Sequence, residues 1–162
     1  MLKVLDLRPR RTIRVVLFTN EENGLRGGLD YRDRYRAELS HHVLMIESDA
    51  GVFAPQGFGL SANETARAQA LAIVSLLNGI GVTHIAASGG GADIGPSVTA
   101  GRIPAMSLEV DGSRYFLIHH TEADTVDKID PSDLAKCAAA MTAMAYVVAD
   151  MPQRLGEAPG TH

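Results

Sequence analysis

The sequence predicts an α/β fold of three layers, in which helices cover both faces of a mixed sheet. Three observations predict it: apolar runs of strand length recur along the chain, helical patterns lie between several of them, and an Asp111-Gly112 turn separates the last two runs as a hairpin would. The 162 residues suit one domain spanning 1–162, long enough to bury a sizeable core.

The expected strands are residues 13–18, 43–46, 84–87, 105–110 and 115–118. The segment ETARAQALAIVSLL, residues 64–77, carries apolar positions three and four apart and follows two candidate caps, Ser61 and Asn63, so a helix is expected there. A second helix is expected over 131–150, with Asp130 as N-cap, Pro131 at the first helical position and Asp133 in the first turn. The hairpin between 105–110 and 115–118 would make the sheet mixed.

Composition narrows the function classes. The net charge of −4 argues against a nucleic-acid surface, and the one basic cluster, RPRRTIR at residues 8–14, reads as a solvated lead-in to a strand. No apolar run approaches the roughly 20 residues of a membrane span. A single cysteine, Cys137, excludes an intrachain disulfide and any Cys-based zinc finger, so a metal would be held by carboxylates and histidines. The first residues show no signal-peptide pattern, and the chain as written is expected to carry no export signal.

In open α/β sheets the loops at the carboxyl ends of strands hold the chemistry. Here the first expected strand runs into Glu21 and Glu22, the second into Asp49 of ESD, the third into SGGGAD with Gly90, Gly91 and Asp93, and the last into HHTEADT with His119 and His120. Adjacent glutamates suit metal-assisted hydrolysis, because one can hold the metal while its neighbour takes a proton from the attacking water. Acids placed before a helix also stabilise its N-terminus and keep the turn solvated. In a strand His119 and His120 would point to opposite faces. The glycine segment lacks both the P-loop lysine and the dinucleotide spacing, and reads as a place where backbone closely approaches a substrate.

The stretches RTIRVVLFTNEENGLRGGLDY, IESDAGVFAPQGFG, SGGGADIGP and YFLIHHTEADTVDKIDP together resemble the carboxypeptidase Q (plasma glutamate carboxypeptidase) branch of the zinc-dependent aminopeptidase family, over nearly the whole chain and in the same order. The resemblance implies a three-layer α/β/α sandwich with a mixed, mostly parallel sheet of the phosphorylase/hydrolase-like type. By position it implies Glu21 as general base, Glu22 and His120 as ligands of one zinc, and Asp49 as ligand of a second. It places Gly90, Gly91 and Asp93 near the substrate pocket. It further implies removal of a terminal residue from a peptide or dipeptide, is compatible with a homodimer, and points to periplasmic or secreted full-length relatives. The family's His-x-Asp histidine and bridging aspartate have no counterpart in the twenty residues before Glu21. The chain is therefore expected to be N-terminally truncated, the C-terminal portion of a peptidase domain. A peptide-binding or interaction module without activity is the alternative reading.

Overall fold

The computed structural model describes residues 2–158. In chain order its elements are α1 (Arg26–Arg34), β1 (Met45–Glu47), β2 (Pro55–Ser61), α2 (Glu64–Val74), β3 (His84–Ala86), α3 (Gly95–Gly101), β4 (Ala105–Val110) and α4 (Pro131–Asp150), with short 3₁₀ turns between them. The four strands form a sheet in the order β1-β4-β2-β3. β1 runs parallel to β4 and β2 parallel to β3, while β2 and β4 pair antiparallel at the centre. The sheet is mixed as expected, but the antiparallel contact joins β2 to β4 and is not the expected hairpin.

Both faces are covered. Phe58 and Leu60 of β2 and Met106 and Leu108 of β4 point to one side, where α2 and α4 supply Ala66, Ala70, Ile73, Val74, Cys137, Ala140, Met144 and Val148. On the other side Met45 and Ala105 meet Tyr31, Leu39, Ile94 and Ile103 from α1, α3 and their flanks. Two helices follow their caps as read: the Asn63 side chain accepts from Ala66 N at the start of α2, and Asp130 accepts from Ser132 N and Asp133 N at the start of α4. α4 ends on Arg11, whose guanidinium donates to the carbonyls of Val148, Ala149 and Met151, a cation placed at the negative end of the helix dipole. Part of the basic cluster is thus a helix cap. Among the described residues, no helix is long and apolar enough to cross a membrane.

Four expectations are corrected. Residues 13–18 are extended but pair with no strand, and Val15 and Leu17 stand 85% and 90% exposed. Residues 115–118 are not a strand: the Asp111 side chain accepts from Ser113 N and starts a 3₁₀ turn, Gly112–Leu117, in its place. The strand expected at 43–46 forms as Met45–Glu47. α2 stops at Val74, short of 77, where Ser75 turns its hydroxyl back onto Ala72 O.

Phe58 is fully buried, whereas Leu17 covers nothing. Phe58→Ala is expected to lower the unfolding free energy by about 3–5 kcal/mol, and Leu17→Ala to change it by less than about 0.5 kcal/mol. Urea denaturation of the two variants checks the contrast, and comparable losses would mean that residues 13–18 are packed in solution.

Candidate active site

β pairing lines up one row of residues on the α1/α3 face of the sheet: Glu47 opposite Ser107, Ser107 opposite Gly59, and Gly59 opposite Ala86. All are small except Glu47, and the loop after β3 crosses this row. A Cβ on Gly89 would lie 1.9 Å from Gly59 O, and one on Gly59 would lie 2.2 Å from Ser88 O, so both positions exclude side chains. The Ser61 hydroxyl fixes the crossing, donating to Gly89 O at 2.8 Å and accepting from Gly89 N at 2.9 Å. Gly91 then passes Glu47, whose carboxylate would be 2.1 Å from any Cβ there. The loop ends where Ile94 N donates to Glu47 Oε2 at 2.9 Å, just before α3 begins.

This crossing is required by direction. β3 runs opposite to β1 and β4, so its carboxyl end lies at the other end of the sheet from Asp49. Without it, Asp93 would not reach the acids that follow β1. Glycine freedom therefore serves the protein's own backbone at Gly89 and a carboxylate of the protein at Gly91, while Gly90 takes φ 135°, a conformation L side chains rarely adopt.

Around Asp93 the acids gather. Burial, followed by the negative charges of Glu47, Glu21 and Asp49, holds the Asp93 carboxyl above the usual carboxylate range. Asp93 Oδ1 and Glu47 Oε1 are both buried with no hydrogen-bond partner among the described residues. Burial also pushes the Tyr115 hydroxyl up, helped by Asp49, Glu22 and Asp124. Glu21, Glu22, Asp49, Asp93 and Asp124 therefore share one electrostatic neighbourhood. Residues 98 apart in sequence meet where His120 Nε2 lies 2.6 Å from Glu22 Oε1. His119 stacks on His120 at 3.7 Å and on Tyr115 at 4.4 Å, so the two imidazoles lie face to face and not on opposite faces of a strand.

The helix-capping explanation of Glu21 and Glu22 can be checked directly. α1 opens after Leu25 in a left-handed conformation with no side-chain cap, and no acid lies in its first turn. Neither glutamate caps that helix. Glu21 contributes its carbonyl to the preceding turn, accepting from Gly24 N and Leu25 N, and the charge of its side chain acts on Asp93.

Carboxylate oxygen and imidazole nitrogen are donors that zinc accepts, and Glu22 with His120 supplies one of each. Catalytic zinc takes three protein ligands. Among the described residues no group of three or more His, Cys, Asp or Glu side chains is placed to hold a metal ion. The donor types fit zinc and their number does not, so these residues do not by themselves complete a catalytic zinc site.

Sequence reasoning missed Glu47. The motif ESD points to Asp49 alone, whereas Glu47 is the buried clamp that holds the loop. The period of two, which puts Met45 and Glu47 on the same face, was the available signal.

Fold and site together define a three-layer α/β/α protein with an acid- and histidine-bearing site over one edge strand. The chain belongs to peptidase family M28, whose profile, described as "Peptidase family M28", matches residues 1–145. It is 39% identical over 155 residues to carboxypeptidase Q of Homo sapiens and of Mus musculus, covering 96% of this chain and 33% of each relative. A solved structure, a peptidase M28 precursor from Shewanella amazonensis SB2B, matches with a TM-score of 0.88 and 36% identity, over 98% of this chain and 36% of that one. The chain thus spans about a third of the length of the relatives it matches.

Asp93 makes stability pH-dependent. Unfolded, it loses its proton near 3.8, and folded it keeps the proton to higher pH. Between those values the folded state binds more protons, so Asp93's contribution to stability falls as pH rises through the interval and then levels off. Asp93→Asn is expected to remove this decline and raise the urea midpoint near neutral pH. An unchanged pH profile in the variant would place Asp93 in water.

Proposed function

We propose that this chain carries part of the catalytic site of a metallo-exopeptidase, which hydrolyses a terminal peptide bond of a peptide or dipeptide. Membership of a peptidase family supports the reaction class. The observation that carries the site is the Glu22–His120 contact, made by two zinc-type donors 98 residues apart in sequence.

In this reading Glu22 and His120 are ligands of one zinc ion, Asp49 serves a second, and the remaining ligands come from outside these residues. Bound zinc would supply Lewis-acid polarisation of the scissile carbonyl. The rest belongs to the chain's own groups. Glu21 lies next to a liganding residue and is not used as a helix cap; it accepts a proton from the attacking water and returns it to the leaving amine. Asp93 and the loop through Gly90 and Gly91 form the wall against which the peptide lies. The apolar groove of Leu25, Leu29, Ala92 and Pro96 between α1 and α3, which borders Gly91, offers room for a side chain of that peptide. A second reading, a peptide-binding or interaction module without activity, is favoured by the shortfall of ligands among the described residues.

The two glutamates separate these readings. In a protein completed with the remaining portion of an M28 domain, Glu21→Gln is expected to lower kcat by roughly 10²- to 10⁴-fold with zinc content unchanged. Glu22→Gln is expected to lower zinc content, with partial recovery of activity in excess zinc. Metal analysis beside steady-state kinetics reads both. Full activity in both variants would leave the pair as a charged turn, and an inactive completed protein would favour the interaction module.

A further inference from the structure

His120 reaches Glu22 from a strained backbone. Its φ of 57° is left-handed, a conformation that crowds the Cβ of an L residue against the chain and persists only where the surroundings fix it. The residues around it supply that fixing. Tyr115 O accepts from Ile118 N at 3.0 Å and from His119 N at 2.8 Å, and Ile118 O accepts from Thr121 N at 3.0 Å and from the Thr121 hydroxyl at 2.7 Å. The turn is thus closed on both sides of His120.

Within this turn the rings form a column. Adjacent side chains of an extended chain point apart, whereas the left-handed residue swings His120 back, so that its imidazole lies 3.7 Å from that of His119 with the planes 26° apart. His119 lies in turn 4.4 Å from the Tyr115 ring at 20°. Phe116 meets both Tyr115 and His119 edge-on. At the far end Tyr115 borders Gly51, two residues after Asp49: a Cβ there would lie 3.6 Å from the Tyr115 ring and 2.8 Å from that of Phe53. At the near end is the Glu22 carboxylate, 2.6 Å from His120 Nε2. Gly51, Tyr115, His119, His120 and Glu22 therefore make one row of contacts, which joins the loop after β1 to the turn before α1. The charges of Asp49 and Glu22 both act on Tyr115, so the ring lies within electrostatic reach of both ends. Its contacts in the column are made by the ring and not by the hydroxyl.

We propose that Tyr115 is a positioning residue of the site, whose ring, acting through His119, sets the His120 imidazole against Glu22 and braces the loop that follows Asp49. The proposal rests on the exopeptidase reading for the roles of Glu22, Asp49 and His120. The His120 side chain is 60% exposed, so little else restricts its rotation. Stacking on a ring that is itself wedged against Gly51 removes that freedom before any ligand arrives, as the outer partners of liganding histidines do.

Two measurements test it. In the full 162-residue chain without metal, at one fixed pH, NMR is expected to show the His119 and His120 ring protons upfield of free imidazole, because each ring faces another. Tyr115→Leu, apolar but without an aromatic face, should move the His120 signals to the free position with the melting temperature kept, and Tyr115→Phe should restore them. In a protein completed with the remaining portion of an M28 domain, Tyr115→Leu is expected to weaken zinc binding, read by competition with a chelator, by roughly 10- to 100-fold and to lower kcat with KM unchanged. Tyr115→Phe should restore both. Where Tyr115→Leu does not fold, His119→Ala cuts the column one ring further on, and His119→Phe rebuilds it. His120 signals that stay put in Tyr115→Leu or His119→Ala would overturn the proposal. So would Tyr115→Phe as impaired as Tyr115→Leu, which would assign the hydroxyl to the chemistry, or His119→Phe as impaired as His119→Ala, which would assign the imidazole nitrogens. If the NMR result holds in a completed protein that neither binds zinc nor hydrolyses peptides, the exopeptidase reading fails and the setting of His120 by Tyr115 stands.

Discussion

The Glu47 carboxylate is the point on which the site depends. A buried acid on an edge strand is expensive unless its oxygens are bonded, and one of them is bonded, to Ile94 N at the threshold of α3. That bond ends the loop from β3 where α3 must begin, and α3 in turn carries Ile94 into the cluster with Tyr31 and Ile103. The bond is only open to a loop able to lie flat on the sheet, which is why Gly59, Gly89 and Gly91 carry no side chains. Sequence, sheet register and loop path are thus three aspects of one constraint: an antiparallel centre sends β3 the wrong way, and a glycine crossing brings its loop back.

That path concentrates negative charge. Glu21, Glu47 and Asp49 each raise the proton affinity of Asp93, and Asp49, Glu22 and Asp124 act likewise on Tyr115. Like charges held together without counter-charge cost stability, and proteins keep them together where a cation or a proton transfer uses them. The opposite end of the extended residues 12–18 is arranged the other way: Arg14 bonds both the Tyr31 hydroxyl and Glu38, and Arg11 caps α4. Its cations are spent on structure, and among the described residues no lysine or arginine pairs with Glu21, Glu22, Glu47, Asp49 or Asp93.

Much of this was legible where local chemistry decides the outcome. α4 could be read to the residue because Asp130 and Pro131 fix its start whatever surrounds them, and its alanine-rich body needs only one packed face. β4 was legible too, its apolar run being buried on the sheet. β2 was not, since Gly57 and Gly59 occupy every second position and remove the alternation by which a strand is recognised; those glycines are there for His84 and for the crossing loop, contacts no local pattern reveals. Residues 115–118 are as apolar as a strand, yet Asp111 and Gly112 begin a turn that local hydrogen bonding continues. Of the site, the types of residue were visible at the loop starts and Glu22 meets His120 as their chemistry suggests. The clamp by Glu47 was hidden, because it depends on a helix start 47 residues away.

The strand expected at residues 13–18 is the most informative disagreement. Its sequence has the composition of a buried strand, and exposing Val15 and Leu17 forgoes roughly 1.5–3 kcal/mol for each side chain relative to burial. Phe18, by contrast, packs beside Tyr31 at 5.8 Å between ring centres, and Arg14 is fully engaged. The segment therefore meets its neighbours where they are present and stays bare where they are not. Its exposure is therefore uneven along its length, engaged at Arg14 and Phe18 and bare at Val15 and Leu17. The groove that these bare side chains line also reaches Glu47, Asp49 and Asp93, so the exposed face of the segment and the candidate site are continuous.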